Sequence, residues 1–386
     1  MSAAPTEADT ARDCDGEYLA ERAVLPALAY TDESYLRHER KTILKRSWLF
    51  ASFLRELSEP GTVVPVEVAG EPVIVLRDNG GELRAFHNVC SHRGTQLVCE
   101  RMEGRKSIVC PYHAWIYDLG GTLFRSRHFA GTDRPELPDL PSEELGLKPL
   151  QIASWLDFVF VNFDVDGEPF DQYIQPLTAR WAGYDLSNLR HGASMRYDFR
   201  ANWKLVVENF LESYHVPFIH HTLNTYSPFT QRYQIRLTDH LMGIGSGRYS
   251  PAEHDGERLP GWSTSSAEDN VKAEYFSVFP TFLIGVMPDH LFAWSLDLLS
   301  AGETTEHLHF YFAGDEALSP RYEPQRQATL ESWKQVNDED WSIIERMHAG
   351  VRSSGFSRAL LSRQMEQNIN GFQALVVDHA GLPDDQ

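Results

Sequence analysis

The sequence predicts an α+β protein with an all-β domain first and a mixed domain after it. Between Gly61 and Ile116, short runs rich in Val and Ile alternate with turn residues, a pattern typical of antiparallel strands. Beyond about Asp164, apolar residues recur at helical spacing in several segments. A chain of 386 residues with 42% hydrophobic content is long enough for two or three domains with real cores.

We expect three divisions of the chain. Residues 1–40 form an N-terminal arm and helix, residues 41–165 form the all-β domain, and residues 166–386 form the mixed domain. In the all-β domain, strands are predicted over 62–68, 72–76, 83–86 and 158–163. Asn79-Gly80, between two of these runs, predicts a hairpin turn.

The mixed domain is predicted to contain a sheet that helices cover. Its predicted strands are 231–237, 273–286 and 308–312. Its predicted helices are 170–184, 203–214, 324–347 and 358–378.

Charge and composition exclude several classes of partner. A net charge of −20 disfavours nucleic-acid and anionic-membrane surfaces, since both need clustered Lys and Arg. The N-terminal residues show no signal-peptide pattern, and no apolar run approaches the ~18 residues of a membrane span. The 4 cysteines are too few for a disulfide framework. We therefore expect a cytoplasmic protein without a nucleic-acid or membrane partner.

Four potential metal ligands stand in two short segments, Cys90-Ser-His92 and Cys110-Pro-Tyr-His113. Together they can ligate a [2Fe–2S] cluster in which one iron takes both thiolates and the other takes both imidazoles. This is the Rieske arrangement, whose neutral imidazoles raise the reduction potential above that of all-cysteine clusters. The sequence therefore predicts a Rieske cluster bound by these four side chains.

A structural zinc ion is the alternative, because tetrahedral Cys₂His₂ zinc sites use the same ligand types. Zinc fingers usually put two cysteines in one half-site and two histidines in the other. Here each segment carries one of each. The ligand order thus favours the iron–sulfur cluster.

A second group of candidate ligands lies within residues 201–221. Glu208, Glu212 and His215 are spaced i, i+4 and i+7, so they share one face of a continuous helix. Pro217 predicts that this helix ends near residue 216. The chain can then turn back and bring His220 close to His215.

Two imidazoles and one carboxylate form the facial triad typical of mononuclear Fe(II), which leaves positions open for O₂ and substrate. The carboxylate should lie on a rigid helix, and residues 336–345 offer Asp340, which we favour, and Asp338. We expect His221 in a supporting or surface position, because adjacent side chains on extended backbone point to opposite sides.

The motifs CSH and CPYH, the pattern NWK-x-x-x-EN-x-x-E-x-x-H-x-x-x-x-H and a late ED-x-x-x-x-E resemble the terminal oxygenase (α) subunit of Rieske non-haem iron oxygenases. The resemblance covers roughly residues 40–375. It implies an N-terminal Rieske domain and a C-terminal catalytic domain of the helix-grip type. It also implies a head-to-tail homotrimer, in which the cluster of one subunit lies close to the mononuclear iron of its neighbour.

The resemblance gives Glu212 a catalytic role between subunits. It stands three positions before the first iron histidine, where the family has an acid that would accept hydrogen bonds from His215 and from His113 of the partner subunit. Such a carboxylate sets the orientation and basicity of both rings. From the residues alone, Glu212 could equally be a solvated glutamate on a helix face.

The resemblance further implies that electrons come from NAD(P)H through a separate reductase with flavin and an iron–sulfur centre. The chain itself lacks a convincing dinucleotide fingerprint, since the glycine run 243–247 has no strand-turn-helix context. At the iron, O₂ would oxidise a C–H bond or ring double bond of a small-molecule substrate. A Rieske electron-transfer protein with a docking domain is the alternative of another class.

Within the family, glutamate at the bridging position and a chain of this length resemble the branch that oxidises quaternary ammonium compounds such as choline, glycine betaine and carnitine. Aromatic faces bind methylated cations well. The mixed domain offers eight aromatic candidates, which could equally form a sheet core: Tyr226, Phe229, Tyr233, Phe276, Phe279, Phe282, Phe292 and Trp294.

We therefore expect hydroxylation or N-demethylation of a betaine-type substrate, and aromatic-ring mono- or dioxygenation is the alternative. A positive side chain that anchors a substrate carboxylate would separate the two. Four side chains are candidates for this anchor: Arg232, Arg236, Arg248 and Lys272.

Overall fold

The structure, a computed structural model, describes residues 20–132, 137, 139–250, 256–264 and 269–383. The first part of the predicted N-terminal arm, residues 1–19, lies outside these residues. Internal contacts divide the chain into two compact units. We call Leu44–Tyr173 the inserted unit, and the chain before and after it the host unit. The predicted domain boundaries stay a prediction.

The described residues form 18 strands. In chain order they are β1 (Ala20–Arg22), β2 (Leu49–Phe53), β3 (Val63–Val68), β4 (Glu71–Arg77), β5 (Leu83–His87), β6 (Ser107–Val109), β7 (Ile116–Asp118), β8 (Leu123–Arg125), β9 (Pro149–Trp155), β10 (Phe158–Asn162), β11 (Leu189–Phe199), β12 (Arg232–Arg236), β13 (Leu241–Ser246), β14 (Ala273–Val278), β15 (Phe282–Val286), β16 (His290–Ser300), β17 (Glu303–Ala313) and β18 (Leu360–Ser362).

The same residues form ten α-helices, and none of these is long and apolar enough to cross a membrane. They are α1 (Leu28–Thr31), α2 (Glu33–Thr42), α3 (Ser142–Leu145), α4 (Phe170–Arg180), α5 (Trp203–Phe210), α6 (Val216–Ile219), α7 (Leu223–Tyr226), α8 (Gly314–Ala317), α9 (Glu323–Val351) and α10 (Gln367–Ala380).

The inserted unit contains two antiparallel sheets. Six strands pair in the order β2-β10-β9-β5-β4-β3, and three short ones pair in the order β6-β7-β8. Val73 to Leu76 on β4 are fully buried, and since successive side chains of a strand point to opposite faces, both faces of β4 are covered. The predicted all-β character of this part of the chain is confirmed.

The host unit is built on a seven-stranded antiparallel sheet in the order β11-β17-β16-β15-β14-β13-β12. Helix α10 contacts β12 and β13, and α9 contacts α5 and β11. Asn368 on α10 donates a 2.7 Å hydrogen bond to the carbonyl of Gly243. Gly243 and Gly245 of the glycine run lie within β13, where a side chain at Gly243 would collide with the Tyr275 carbonyl. The predicted α+β class is confirmed.

Several predicted elements differ from the structure. The strand predicted over 273–286 is two strands, β14 and β15, with Pro280 at the turn between them, because proline cannot donate to a sheet ladder. The helix predicted over 358–378 begins only at Gln367, after β18. Strands β11, β13 and β16 were not predicted.

A buried ion pair ties the N-terminal helix α2 to the rest of the host unit. Lys204 Nζ lies 2.7 Å from Glu39 Oε1, and both side chains are 0% exposed. The indole of Trp203 donates to the other carboxylate oxygen at 3.2 Å. Buried charges of this kind require a partner, so α2 has a fixed position against α5.

Candidate functional site

The two predicted cluster segments lie on two loops of the inserted unit. Cys90 and His92 follow β5, and Cys110 and His113 lie in the connection between β6 and β7. The second loop is closed by two backbone bonds, from Cys110 N to Trp115 O at 2.8 Å and from Ala114 N to Cys110 O at 3.1 Å. These bonds force Ala114 into the left-handed region, with φ +53°.

The structure brings the four predicted ligands of this site together in two pairs, with the Cys90 thiol within hydrogen-bond distance of Cys110 and His92 against His113. Cys90 and Cys110 are each 2% exposed, and the ring centroids of His92 and His113 lie 4.6 Å apart. His113 Nδ1 is buried and has no hydrogen-bond partner among the described residues. A buried, unpaired imidazole nitrogen and a pair of buried thiols, carried on the same two loops, fit a metal cluster.

The surroundings of the cysteines suit an anionic cluster. Burial raises the pKa of the Cys90 thiol, so its thiolate form requires a nearby cation such as a metal ion. The Tyr117 hydroxyl lies 3.1 Å from Cys90 Sγ. It also lies 3.0 Å from the Ser91 hydroxyl, which donates to the Leu145 carbonyl. The indole of Trp115 stacks on His92 at 4.7 Å.

A second group of potential metal ligands comes together in the host unit. One ligand atom each from His215, His220 and Asp340 falls within 4.8 Å of the other two. Asp340 Oδ1 lies 3.0 Å from His220 Nε2 and 3.7 Å from His215 Nε2. This oxygen is buried and accepts no well-oriented hydrogen bond from a described residue. Two imidazoles and one carboxylate oxygen that converge in this way fit a divalent iron.

Carboxylates hold both imidazole rings of this triad from behind. Glu212 contacts Nδ1 of His215 and accepts a hydrogen bond from the His215 backbone N–H at 3.2 Å. Glu339 Oε2 lies 2.7 Å from Nδ1 of His220. Burial alone would lower the pKa of His220, but Asp340 and Glu339 raise it on balance. The centre therefore favours positive charge.

The backbone around these residues differs from the prediction. Helix α5 ends at Phe210, so Glu208 does not share a continuous helix face with Glu212 and His215. Glu208 is instead buried and accepts a hydrogen bond from Tyr30 at 2.7 Å. Pro217 does not end a helix but stands in the first turn of α6, where its missing N–H costs nothing.

The rival residues for the triad lie elsewhere. Asp338, also on α9, contacts Lys334 and accepts a hydrogen bond from the Tyr197 hydroxyl at 3.1 Å. His221 is exposed, in agreement with the expectation of a surface position. Glu339 was part of the recognised sequence pattern, but its position behind His220 was not predicted from the residues.

The triad opens into a largely apolar pocket, whose space is about 610 Å³ when the solvent at its open mouth is included. Of the eight aromatic candidates, Phe292 and Trp294 line it. Further lining aromatic side chains were not predicted: Phe199, Phe210, Tyr275 and Trp333. The remaining six candidates do not line this pocket, and Phe276, Phe279 and Phe282 are buried in the sheet core.

A loop-held Cys/His site and a His/His/Asp triad beside an apolar pocket define an oxidoreductase that moves electrons to a substrate-binding iron. Comparisons with known proteins agree. Residues 47–136 match the family described as Rieske [2Fe-2S] domain. Residues 186–381 match the family described as ring hydroxylating alpha subunit (catalytic domain).

Three relatives illustrate the similarity. The carnitine monooxygenase oxygenase subunit of Acinetobacter pittii (strain PHEA-2) is 27% identical over 92% of this chain and 94% of its own length. The glycine betaine monooxygenase oxygenase subunit of Chromohalobacter salexigens is 36% identical over 53% of this chain and 45% of its own. The solved structure of the quaternary ammonium Rieske monooxygenase CntA with L-carnitine superimposes with a TM-score of 0.75 at 23% identity, covering 94% of this chain and 96% of that one.

The chain belongs to the ring-hydroxylating alpha-subunit family of Rieske non-haem iron oxygenases. It is an enzyme that acts on a small molecule as the oxygenase subunit of a multicomponent system, with a Rieske [2Fe–2S] cluster and mononuclear iron as cofactors. These matches exclude the zinc alternative, and they exclude the alternative of an electron-transfer protein without a catalytic domain.

Proposed function

We propose that this oxygenase hydroxylates or N-demethylates a quaternary ammonium substrate of the betaine type, at an iron held by His215, His220 and Asp340. The observation that carries the proposal is the position of this triad at an aromatic pocket. Phe292 and Trp294 stack with centroids 4.5 Å apart, and aromatic faces of this kind bind methylated cations. The names of the carnitine and glycine betaine relatives support the same substrate class.

The second part of the proposal concerns electron delivery. Cys90, His92, Cys110 and His113 hold the cluster, which receives electrons from NAD(P)H through a separate flavin and iron–sulfur reductase. Exposed Tyr112 beside His113 gives this loop a surface on which a partner can pack. A cytoplasmic location, expected from the sequence, remains part of the proposal.

The third part concerns assembly. We place this chain in a head-to-tail homotrimer in which Glu212 links His215 to His113 of the partner subunit. Two exposed aromatic side chains next to Glu212, Tyr214 and Phe218, pack against each other at 6.2 Å and are suited to a subunit contact. Inter-subunit electron transfer is described for a quaternary ammonium Rieske monooxygenase of similar structure.

The bound metals supply single-electron transfer and O₂ activation, and the protein residues supply geometry. Glu212 and Glu339 fix the ring orientation of His215 and His220. The apolar walls exclude water from the bound substrate. Overall, a substrate methyl group, O₂, two electrons and two protons give a hydroxymethyl group and water. An N-hydroxymethyl cation then releases formaldehyde, a proton and the demethylated amine.

The proposal is tested by O₂ uptake with a surrogate reductase and NADH, using carnitine, γ-butyrobetaine, glycine betaine and benzoate as substrates. We expect a quaternary ammonium compound to stimulate uptake and to yield a stoichiometric hydroxylated or demethylated product. The His215→Ala variant is the control and should show neither. Coupled turnover of benzoate alone would instead establish the aromatic-ring alternative.

The inter-subunit link has its own test. Glu212→Gln should retain both metals but re-oxidise its reduced cluster with O₂ and substrate at least ~100-fold more slowly, because the charged bridge between the two rings is lost. Glu331→Gln, at an exposed position on α9, is the matched control. Cluster re-oxidation at the wild-type rate in Glu212→Gln would rule out the link.

A further inference from the structure

Glu306 is a buried carboxyl group in the pocket that the proposed iron site does not use. It lies on β17, is 1% exposed and lines the same pocket as the triad. Its Oε1 atom has no hydrogen-bond partner, and its side chain makes no ion pair among the described residues. Burial and the neighbouring charge of Asp340 raise the pKa of Glu306 to about 8, so its ionised form requires a cation beside it. A buried carboxyl without a partner requires a physical explanation.

The surroundings of Glu306 suit a cation. Glu306 pairs with Leu296 across the sheet, and Trp294 pairs with Leu308, so Glu306 and Trp294 are diagonal neighbours on one sheet face. Phe292 stacks on Trp294, and Trp333 meets Phe292 edge-on at 4.7 Å. A carboxylate beside several aromatic faces offers both charge and quadrupole attraction to a methylated ammonium.

A positive side chain lies in the same pocket, at the other edge of the sheet. Arg232 is on β12, five strands away from β17 in the sheet order. Its guanidinium donates to the Ser227 carbonyl at 3.4 Å and the Ser227 hydroxyl at 3.2 Å. It makes no ion pair with a carboxylate among the described residues. Since a guanidinium has five N–H donors, it retains capacity for a bidentate carboxylate.

The other three candidate anchors lie outside the pocket. Arg236 pairs with Asp239 at 2.7 Å, and Lys272 lies 4.0 Å from Asp269. Arg248 is exposed. None of the three lines the pocket, so the choice that the sequence left open falls on Arg232.

We infer that the pocket binds a zwitterion, with Glu306 as counter-ion for the ammonium group beside the triad and Arg232 as anchor for the carboxylate at the far end. This inference rests on the proposed function and assigns its two charge-recognising residues. The orientation places the N-methyl groups, rather than the carboxylate, towards His220 and Asp340. It predicts that both charges of the substrate contribute to binding, each through one residue.

Three isosteric probes separate the two charges. γ-Butyrobetaine carries both, butyltrimethylammonium carries only the cation, and 5,5-dimethylhexanoate carries only the carboxylate. Binding to the anaerobic, metal-loaded protein is measured by titration calorimetry. For the wild type we expect γ-butyrobetaine to bind at least roughly tenfold more tightly than either single-charge probe, because each buried charge pair adds to affinity.

The Arg232 and Glu306 variants should weaken the binding of different single-charge probes. Arg232→Gln should weaken γ-butyrobetaine and 5,5-dimethylhexanoate by about tenfold or more and leave butyltrimethylammonium unchanged. Glu306→Gln should weaken γ-butyrobetaine and butyltrimethylammonium and spare 5,5-dimethylhexanoate. Arg232→Lys should recover part of the loss. Arg248→Gln is the control and should bind all three probes as the wild type does.

The outcomes distinguish this inference from the proposed function. Suppose that γ-butyrobetaine binds the wild type, but that Glu306→Gln and Arg232→Gln do not each weaken only the probes whose charge that residue should recognise. The assignment of Glu306 and Arg232 is then wrong, and the proposed substrate class stands. If the wild type binds no quaternary ammonium probe, the proposed function fails and this inference fails with it. If a variant does not fold, equal wild-type affinities for γ-butyrobetaine and butyltrimethylammonium still overturn the role of Arg232.

Discussion

Glu339 Oε2 lies 2.7 Å from Nδ1 of His220, the ring nitrogen opposite the one that faces Asp340. The two acids are consecutive on α9, and they contact the two nitrogens of one imidazole. Gln335 donates to Glu339 Oε1 at 2.9 Å and fixes the carboxylate in turn. The ring of His220 is therefore held on both sides by one helix.

Glu339→Gln should weaken iron binding about 10- to 100-fold, because a carboxylate behind a ligating histidine fixes its tautomer and raises its basicity. The measurement is iron retention against a chelator of known affinity. Asp338→Asn is the matched control on the same helix, since Asp338 contacts Lys334 rather than the triad. Equal loss of iron in both variants would contradict the special role of Glu339.

The two metal sites should be separable by mutation. Asp340→Ala should lose the mononuclear iron while the visible absorbance of the cluster persists, because the triad loses its carboxylate. His113→Ala should do the reverse, losing the cluster spectrum and retaining the mononuclear iron. Metal analysis and absorption spectroscopy on both variants provide the readout. Loss of both metals in either variant would show that the sites depend on each other.

Tyr117→Phe should lower the reduction potential of the cluster. The Tyr117 hydroxyl lies within hydrogen-bond distance of Cys90 Sγ, and hydrogen bonds to cluster sulfurs favour the reduced, more negative state. One such bond is worth about 1.5–3 kcal/mol at a charged acceptor, and only the part of this energy that differs between the two redox states shifts the potential, so a change of tens of millivolts is expected. Protein-film voltammetry measures it, and an unchanged potential would show that this hydroxyl does not donate to the sulfur.

Lys204→Met should destabilise the protein by about 3–5 kcal/mol, because it leaves the Glu39 carboxylate buried without its cation. Glu39→Leu should have a similar effect. The double variant should cost less than the sum of the two, since it leaves no unpaired charge. Denaturant unfolding of the three variants measures the coupling. Strict additivity would mean that the 2.7 Å contact contributes no pairwise energy.

Stability should fall as pH rises because of Glu208. Burial raises the pKa of Glu208 to about 7, despite hydrogen bonds from Tyr30 and Gln373 that lower it. The folded protein therefore binds a proton that the unfolded chain, with the ordinary value of 4.5, has already released. The contribution of Glu208 to the free energy of unfolding is most favourable at pH 4.5 and below. It declines as pH rises to about 7 and is constant above that pH.

This pH effect is checked with Glu208→Gln, which cannot titrate. Its unfolding free energy should rise relative to wild type by on the order of 2–3 kcal/mol between pH 5 and 8. Glu331→Gln, at an exposed position, should keep the wild-type slope. If the unfolding free energies of Glu208→Gln and wild type differ by the same amount across this pH range, Glu208 is already ionised in the folded protein.

The sequence was informative where chemistry is local. The Cys/His pairs stand on short loops whose spacing is itself the signal, and His215 and His220 are close in the chain, so both groups could be named in advance. It was less informative about the end of α5. Glu208 and Glu212 fit one helical face, but hydrogen bonds from Tyr30 and Gln373, both far away in the chain, hold Glu208 in the core.

The pocket shows the same limit. Trp333 and Tyr275 reach it from α9 and β14, and Glu306 from a strand whose first residues were not predicted. The alternation of aromatic residues could not separate the pocket-facing Phe292 from the core-facing Phe276, because both positions are apolar and buried. Long-range pairing of strands decides which face a residue occupies.

The host unit is interrupted in sequence by the inserted unit, and this has a consequence for biosynthesis. Glu39 meets Lys204 across 165 positions, and Leu25 donates its N–H to Gln373 across 348. Residues 20–43 must therefore wait until nearly the entire chain has left the ribosome, whereas Leu44–Tyr173 is complete much earlier. Iron–sulfur insertion can thus begin on a nascent chain whose oxygen-activating half has not yet formed.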